Sequence, residues 1–209
     1  MMAPMAGGVR EALELGAGVL AARLLQRRRP LVVSWAVTAR CNLRCRYCGI
    51  WEERPNELTT AQALSLIEEM ATAGTRRLSL TGGEPLLRRD LGELVQRASE
   101  CGIRVTMNSN GLLLPRRLGE LAGLAGVSIS IDGPRQAHDR QRGAGSFDRA
   151  VEGLAACRRA SVPVSLMTVL TRDNVESVDS LLALARQHNV TLLVQPVAPY
   201  SYSSAEADG

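Results

Sequence analysis

Arg77-Leu78-Ser79-Leu80-Thr81-Gly82-Gly83-Glu84-Pro85 reads as a short apolar strand, Arg77 to Thr81, that stops in two glycines, a carboxylate and a proline. Glycines at a strand end let backbone approach a ligand closely, Glu84 offers a carboxylate to a cationic group, and Pro85 ends the strand because it has no N–H to give a ladder. A helix precedes the stretch. Thr59 and Gln62 have capping-box spacing, Leu64, Ile67 and Met70 fall on one face, and Gly74 supplies a left-handed stop.

The same alternation continues outward in both directions. Further strand candidates are Val32 to Val37, Ile103 to Met107, Val127 to Ile131, Val164 to Val169 and Val190 to Val194. Helical spacing recurs at Leu91, Leu94, Val95 and Ala98, near Leu118 and Leu121 after Pro115, at Phe147, Val151 and Leu154 behind Ser146, and from Val175 to Ala185 with Asn174 as cap. Strand and helix in strict alternation imply an α/β fold with a parallel sheet and right-handed crossovers, either open and doubly wound or curled into a barrel. Residues 1–30 read as an N-terminal helical extension. Val9, Leu13, Leu20, Leu24 and Leu25 are expected to cover an open face of the core, and Arg27, Arg28, Arg29 and Pro30 end the pattern. Residues 31–196 form the core domain, and 197–209 are a polar tail expected to be flexible.

The longest crossover follows the first strand and contains Cys41-Asn42-Leu43-Arg44-Cys45-Arg46-Tyr47-Cys48. In parallel α/β folds chemistry gathers at the carboxyl ends of the strands, which is where this loop falls. Three thiolates at C-x3-C-x2-C spacing can ligate three irons of a cubic 4Fe-4S cluster and leave the fourth iron open to a chelating ligand. The competing reading is a zinc site completed by Cys101, Cys157 or a distant histidine, but zinc sites usually pair two cysteine clips and no second clip exists here. Cys101 and Cys157 are expected to be small apolar core residues.

Cys41, Cys45 and Cys48, with Tyr47 before the last cysteine and Gly82-Gly83-Glu84-Pro85 at the end of the next strand, resemble the radical S-adenosylmethionine (SAM) superfamily. The likeness is to the barrel core of the molybdenum-cofactor cyclase and peptide-maturase type, and it implies a partial (β/α)6 TIM-like barrel over residues 31–196. It also implies a 4Fe-4S cluster on the three cysteines, with the amino and carboxylate groups of SAM on the open iron and Gly82, Gly83 and Glu84 holding the amino group. Ser130, at the end of strand four in Ser130-Ile131-Asp132-Gly133, is implied as a SAM contact. Arg142, with Arg140 as competitor, matches a family arginine suited to a salt bridge or a carboxylate. Tyr47 and Gln195 are placed near the adenine by the same resemblance. Asn108, Ser109 and Asn110 point to the same face or simply shape the turn into Gly111.

The activity so implied is reductive cleavage of SAM to methionine and a 5'-deoxyadenosyl radical that takes hydrogen from a peptide or small-molecule substrate. A flavodoxin- or ferredoxin-type donor would supply the electron. The cyclase branch is disfavoured because its strand-two arginine and strand-five lysine are matched here by Ser79 and Ser165. A noncatalytic iron–sulfur module that binds SAM is the alternative. No side chain is assigned as a catalytic acid or base, and His138 reads as a loop residue beside the site.

Composition narrows the field in the same direction. Among 209 residues, 45% are apolar and 22% charged, as in ordinary globular domains. All 25 basic residues are arginine, which excludes Schiff-base lysine chemistry and the P-loop lysine. Two histidines, His138 and His188, cannot assemble a multi-histidine zinc centre. The formal charge of +4 comes from scattered residues, weak grounds for a nucleic-acid partner. No apolar run is long enough to span a membrane and no secretory signal opens the chain, so a cytoplasmic location is expected, in keeping with clustered free cysteines.

Overall fold

Six strands, β1 (Val32–Thr38), β2 (Arg77–Gly82), β3 (Arg104–Ser109), β4 (Leu124–Ser130), β5 (Val164–Leu170) and β6 (Thr191–Pro196), pair in parallel in sequential order in the computed structural model. The structure describes residues 13, 16–20, 23–24, 29–53 and 56–196. A doubly wound sheet reverses its strand order at a switch point; this one never reverses, so right-handed crossovers place successive helices along one face and bend the sheet toward a barrel. That settles the choice the strand pattern had left open. Among the described residues β1 and β6 do not pair, so the barrel is partial.

Strands β2 to β5 alternate in burial with period two, and the two faces differ in chemistry. Leu78 and Leu80, Val105 and Met107, Val127 and Ile129, and Leu166 are buried against the helices. The other face carries small or polar residues in register: Ser34 beside Ser79, Ser79 beside Thr106, and Ser128 beside Ser165, whose hydroxyls are 2.9 Å apart. A closed barrel normally fills its interior with branched side chains. Here the concave face carries short hydroxyl side chains instead, and Ser34 among them lines a cavity.

From β1 onward the α-helices are α1 (Thr60–Ala73), α2 (Leu91–Glu100), α3 (Leu114–Arg117), α4 (Arg135–Arg142), α5 (Ser146–Arg159) and α6 (Val178–His188). Helix α1 begins in the expected capping box of Thr59 and Gln62 and ends at Gly74, with φ +98°. Between α1 and β1, Arg88 is buried and donates to the Val37 and Leu58 carbonyls at 3.0 and 2.9 Å while paired with Asp90 at 2.8 Å. It fastens the start of α1 to the end of β1.

Three expectations need correction. The segment holding His138 and Arg142 is not a loop but helix α4, whose buried positions are Ala137, His138, Gln141 and Arg142. Asn174 does not cap α6: its side chain turns back, accepting from Thr171 N at 2.7 Å and donating to the Val169 and Asp132 carbonyls. The described N-terminal residues are helical, but Leu13, Leu20 and Leu24 are 69%, 59% and 74% exposed, so these three do not cover the core. Val9, Leu25 and the 197–209 tail lie outside the described residues.

Candidate functional site

The carboxyl end of β1 lies so close to the end of β2 that side chains are forbidden there. A Cβ on Gly82 would stand 2.1 Å from the Thr38 carbonyl oxygen, and one on Gly83 would stand 2.3 Å from that of Arg40. Gly82 also has φ +126°, a region closed to most L-residues. The approach permits Gly83 N to donate to Thr38 O and Glu84 N to donate to Arg40 O, both at 2.8 Å. The glycines were expected to admit a ligand; what they admit first is the backbone of the segment entering the cysteine loop.

Glu84 has a different duty from the one its sequence position suggests. It is fully buried, its Oε1 accepts from Leu86 N at 3.2 Å and Ser109 Oγ at 2.9 Å, and its Oε2 accepts from Asn110 N at 2.8 Å. Burial raises its carboxyl despite these donors. The carboxylate ties the end of β2 to the end of β3 and does not line the cavity.

The cysteine loop is held from three sides. Asn110 donates to Asn42 Oδ1 at 2.7 Å, Arg46 N donates to Gln141 O on α4 at 2.9 Å, and Trp51 Nε1 returns to Cys48 O at 2.8 Å. Arg44 lies over the Trp51 ring, 4.8 Å from its centroid. Cys41, Cys45 and Cys48 are half-buried and line one cavity of about 630 Å³, a size ordinary for a small-molecule site. Gly82, Gly83, Ser130, Tyr47, Arg142 and Gln195 line the same cavity, with Asn108, Ser109 and Asn110. Glu84, Arg140 and His138, also singled out from sequence, do not line it. Burial pushes the Cys45 thiol up to about 11 and also raises Cys41, so taking up a thiophilic metal there means displacing protons.

Arg142 and Tyr47 meet at a residue that the sequence reading quoted but gave no role. Asp132 Oδ2 accepts from Arg142 Nε at 2.6 Å and from the Tyr47 hydroxyl at 2.8 Å, and Arg142 also donates to the Tyr47 oxygen. The guanidinium thus has a carboxylate of the protein's own, and Arg140, the competitor, is exposed. Burial alone would raise the Asp132 carboxyl, but the Arg142 charge and the surrounding donors outweigh it and hold it below the usual range. Burial raises the Tyr47 phenol.

His138 completes this corner. Its Nδ1 accepts from Asp132 N at 3.2 Å, which leaves the proton of the neutral ring on Nε2, and Nε2 has no partner among the described residues. Burial lowers the ring to about 4. An unfolded histidine titrates near 6.5, so the unfolded chain binds the extra proton first as pH falls. The neutral ring's contribution is therefore whole above pH 6.5 and lost between 6.5 and 4, about 3 kcal/mol over that window. Denaturant unfolding across that range should show the loss, and His138→Gln should flatten it. An unchanged slope in the variant would exclude His138 as its source.

The sequence model of the radical SAM superfamily matches residues 35–185, from β1 into α6. The chain belongs to the radical SAM superfamily. A protein described as Fe-coproporphyrin III synthase of Methanosarcina barkeri is 35% identical over 170 residues, covering 78% of this chain and 42% of that protein. Mycofactocin maturase MftC of Mycobacterium tuberculosis is 35% identical over 179 residues, covering 81% of this chain and 45% of that protein. The chain thus spans less than half the length of these relatives. Streptococcus suis SuiB bound to S-adenosylmethionine superposes with a TM-score of 0.74 at 17% identity, over 83% of this chain and 42% of that one. SuiB bound to its precursor peptide SuiA superposes at 0.72 and 18% identity, over 81% and 40%. These likenesses identify the fold as the partial TIM barrel of radical SAM proteins.

Radical SAM proteins use a 4Fe-4S cluster and SAM, and the donor set here suits both. Three soft sulfurs share one cavity. Three cysteines on one loop supply the thiolate ligands that such clusters take.

Proposed function

We propose that residues 31–196 are the catalytic barrel of a radical SAM enzyme, with Cys41, Cys45 and Cys48 holding the cluster and Gly82, Gly83, Ser130, Arg142, Tyr47 and Gln195 surrounding SAM. The observation that carries this reading is that all nine residues line one cavity at the carboxyl ends of the strands, though they are spread over more than 150 positions. When bound, the cluster and SAM together supply reductive cleavage of a carbon–sulfur bond to methionine and a 5'-deoxyadenosyl radical able to abstract hydrogen.

The residues do the positioning. The paired glycines bring the β2 backbone to the cavity wall, and Glu84 fixes that wall from behind by bonding the end of β3. Ser130 offers a hydroxyl, Arg142 a cation already oriented by Asp132, and Tyr47 a ring whose polar end is engaged elsewhere. Of the concave hydroxyl face, Ser34 lines the cavity, and Ser79, Thr106 and Ser165 continue that face on β2, β3 and β5. One relative is named an Fe-coproporphyrin III synthase and one structural neighbour holds a precursor peptide, and we assign the substrate to a peptide or a small cofactor precursor. A flavodoxin- or ferredoxin-type protein in the cytoplasm would supply the electron.

Anaerobic reconstitution with iron and sulfide, followed by dithionite and SAM, should yield about four irons per chain and release 5'-deoxyadenosine and methionine in equal amounts. A protein that binds SAM and never cleaves it would instead be an iron–sulfur binding module. Uptake of zinc in preference to iron and sulfide would overturn the cluster assignment.

A further inference from the structure

Asp132 follows Ser130 at the end of β4 and is wholly buried, and its polar atoms are engaged from four parts of the fold. Tyr47 reaches it from the cysteine loop, Arg142 from α4 through Nε at 2.6 Å and Nη2 at 3.2 Å, Val169 N from β5 at 3.2 Å, and Asn174 Nδ2 meets its carbonyl at 3.1 Å. Its own N–H is taken by His138. Both charges of the Asp132–Arg142 pair are hidden from solvent, at 0% and 8% exposure, and Cys45 lies within electrostatic reach of both. Buried charges are screened little, so each acts on its neighbours across several ångströms.

Resting on the cluster assignment above, we propose that Asp132 is a positioning residue with an electrostatic duty. It holds Arg142 and Tyr47 as one unit against the cysteine loop and cancels the Arg142 charge beside Cys45, which keeps the reduction potential of the cluster low. Tyr47 stands between Cys45 and Cys48 in sequence, so the carboxylate that receives its hydroxyl also sets where those two ligands stand. Without the Asp132 charge, Arg142 would face the cluster uncompensated and favour its reduced, more negative form. Without Arg142, the carboxylate would disfavour that form.

Spectroelectrochemical titration of reconstituted protein, read by visible absorption and by the spin-resonance signal of the reduced cluster, tests this without reference to turnover. Asp132→Asn should shift the potential upward by about tenfold in the one-electron equilibrium, about 59 mV. Arg142→Gln should shift it downward, and the double variant Asp132→Asn with Arg142→Gln should return close to wild type. If Asp132→Asn does not fold, the double variant, which leaves no buried unpaired charge, is compared with Arg142→Gln alone. Equal potentials in those two proteins would overturn the proposal, as would shifts of the single variants in the same direction. Wild-type protein that assembles no cluster would instead overturn the functional assignment on which the proposal rests.

Discussion

Cys45→Ala is expected to abolish the visible absorption of the reconstituted cluster, reduce bound iron from about four per chain to near zero, and take SAM cleavage below detection. The expectation follows from how the loop is built. Cys45 opens the bonded turn that closes from Cys48 N to Cys45 O at 3.1 Å, and Cys41 and Cys48 are the other cysteines that line the cavity, so no spare thiol stands there to replace it. Cys101 packs against the hydrophobic core at the end of α2, and Cys157 is wholly buried in α5. A two-cysteine loop would have to offer two irons to solvent, and such clusters are lost. The barrel itself should survive, because its helix-facing core of Leu78, Leu80, Val105, Met107, Ile129 and Leu166 owes nothing to the loop. Far-UV circular dichroism should therefore match wild type while iron analysis does not. A full complement of four irons in the variant would remove Cys45 from the ligand set.

Much of this architecture can be read in the chain because local and tertiary signals agree. All six strands were legible as apolar segments between helical stretches, and the α1 boundaries were legible because capping box and glycine stop sit at both ends. Helix α4 was not legible, and the reason is chemical. Arg135-Gln136-Ala137-His138-Asp139-Arg140-Gln141-Arg142 has no apolar stripe, since its buried side meets the polar corner around Asp132 and not a hydrocarbon core. Periodicity methods find helices by what they bury in oil. The strand order, and with it the choice between barrel and doubly wound sheet, is a tertiary property that no single segment encodes. Asp132 was visible within Ser130-Ile131-Asp132-Gly133, but its role depends on partners 85 positions earlier and 10 and 37 positions later.

Glu84 shows the same limit with a sharper consequence, because two roles for it predict different experiments. As a direct contact to the amino group of SAM, its removal would weaken SAM binding and leave the fold untouched. As the buried acceptor for Leu86 N, Ser109 Oγ and Asn110 N, its removal leaves three donors without partners in a dry place. Each such donor costs on the order of 1–3 kcal/mol, partly relieved by relaxation, so Glu84→Ala should destabilise the protein by about 3–4 kcal/mol. For a chain of this length that lowers the thermal midpoint by about 10 °C. Asn110 also holds Asn42 in the cysteine loop, so the loosened β3 end should cost iron retention and SAM affinity together. Glu84→Gln keeps the shape and one acceptor oxygen but sets an amide N–H₂ against a backbone or hydroxyl donor, so about half the destabilisation should remain. Thermal unfolding, iron content and SAM affinity measured on the same three proteins separate the roles. A normal midpoint with normal iron and weakened SAM binding would return Glu84 to the ligand. A fall in all three assigns it to the wall that the ligand leans on.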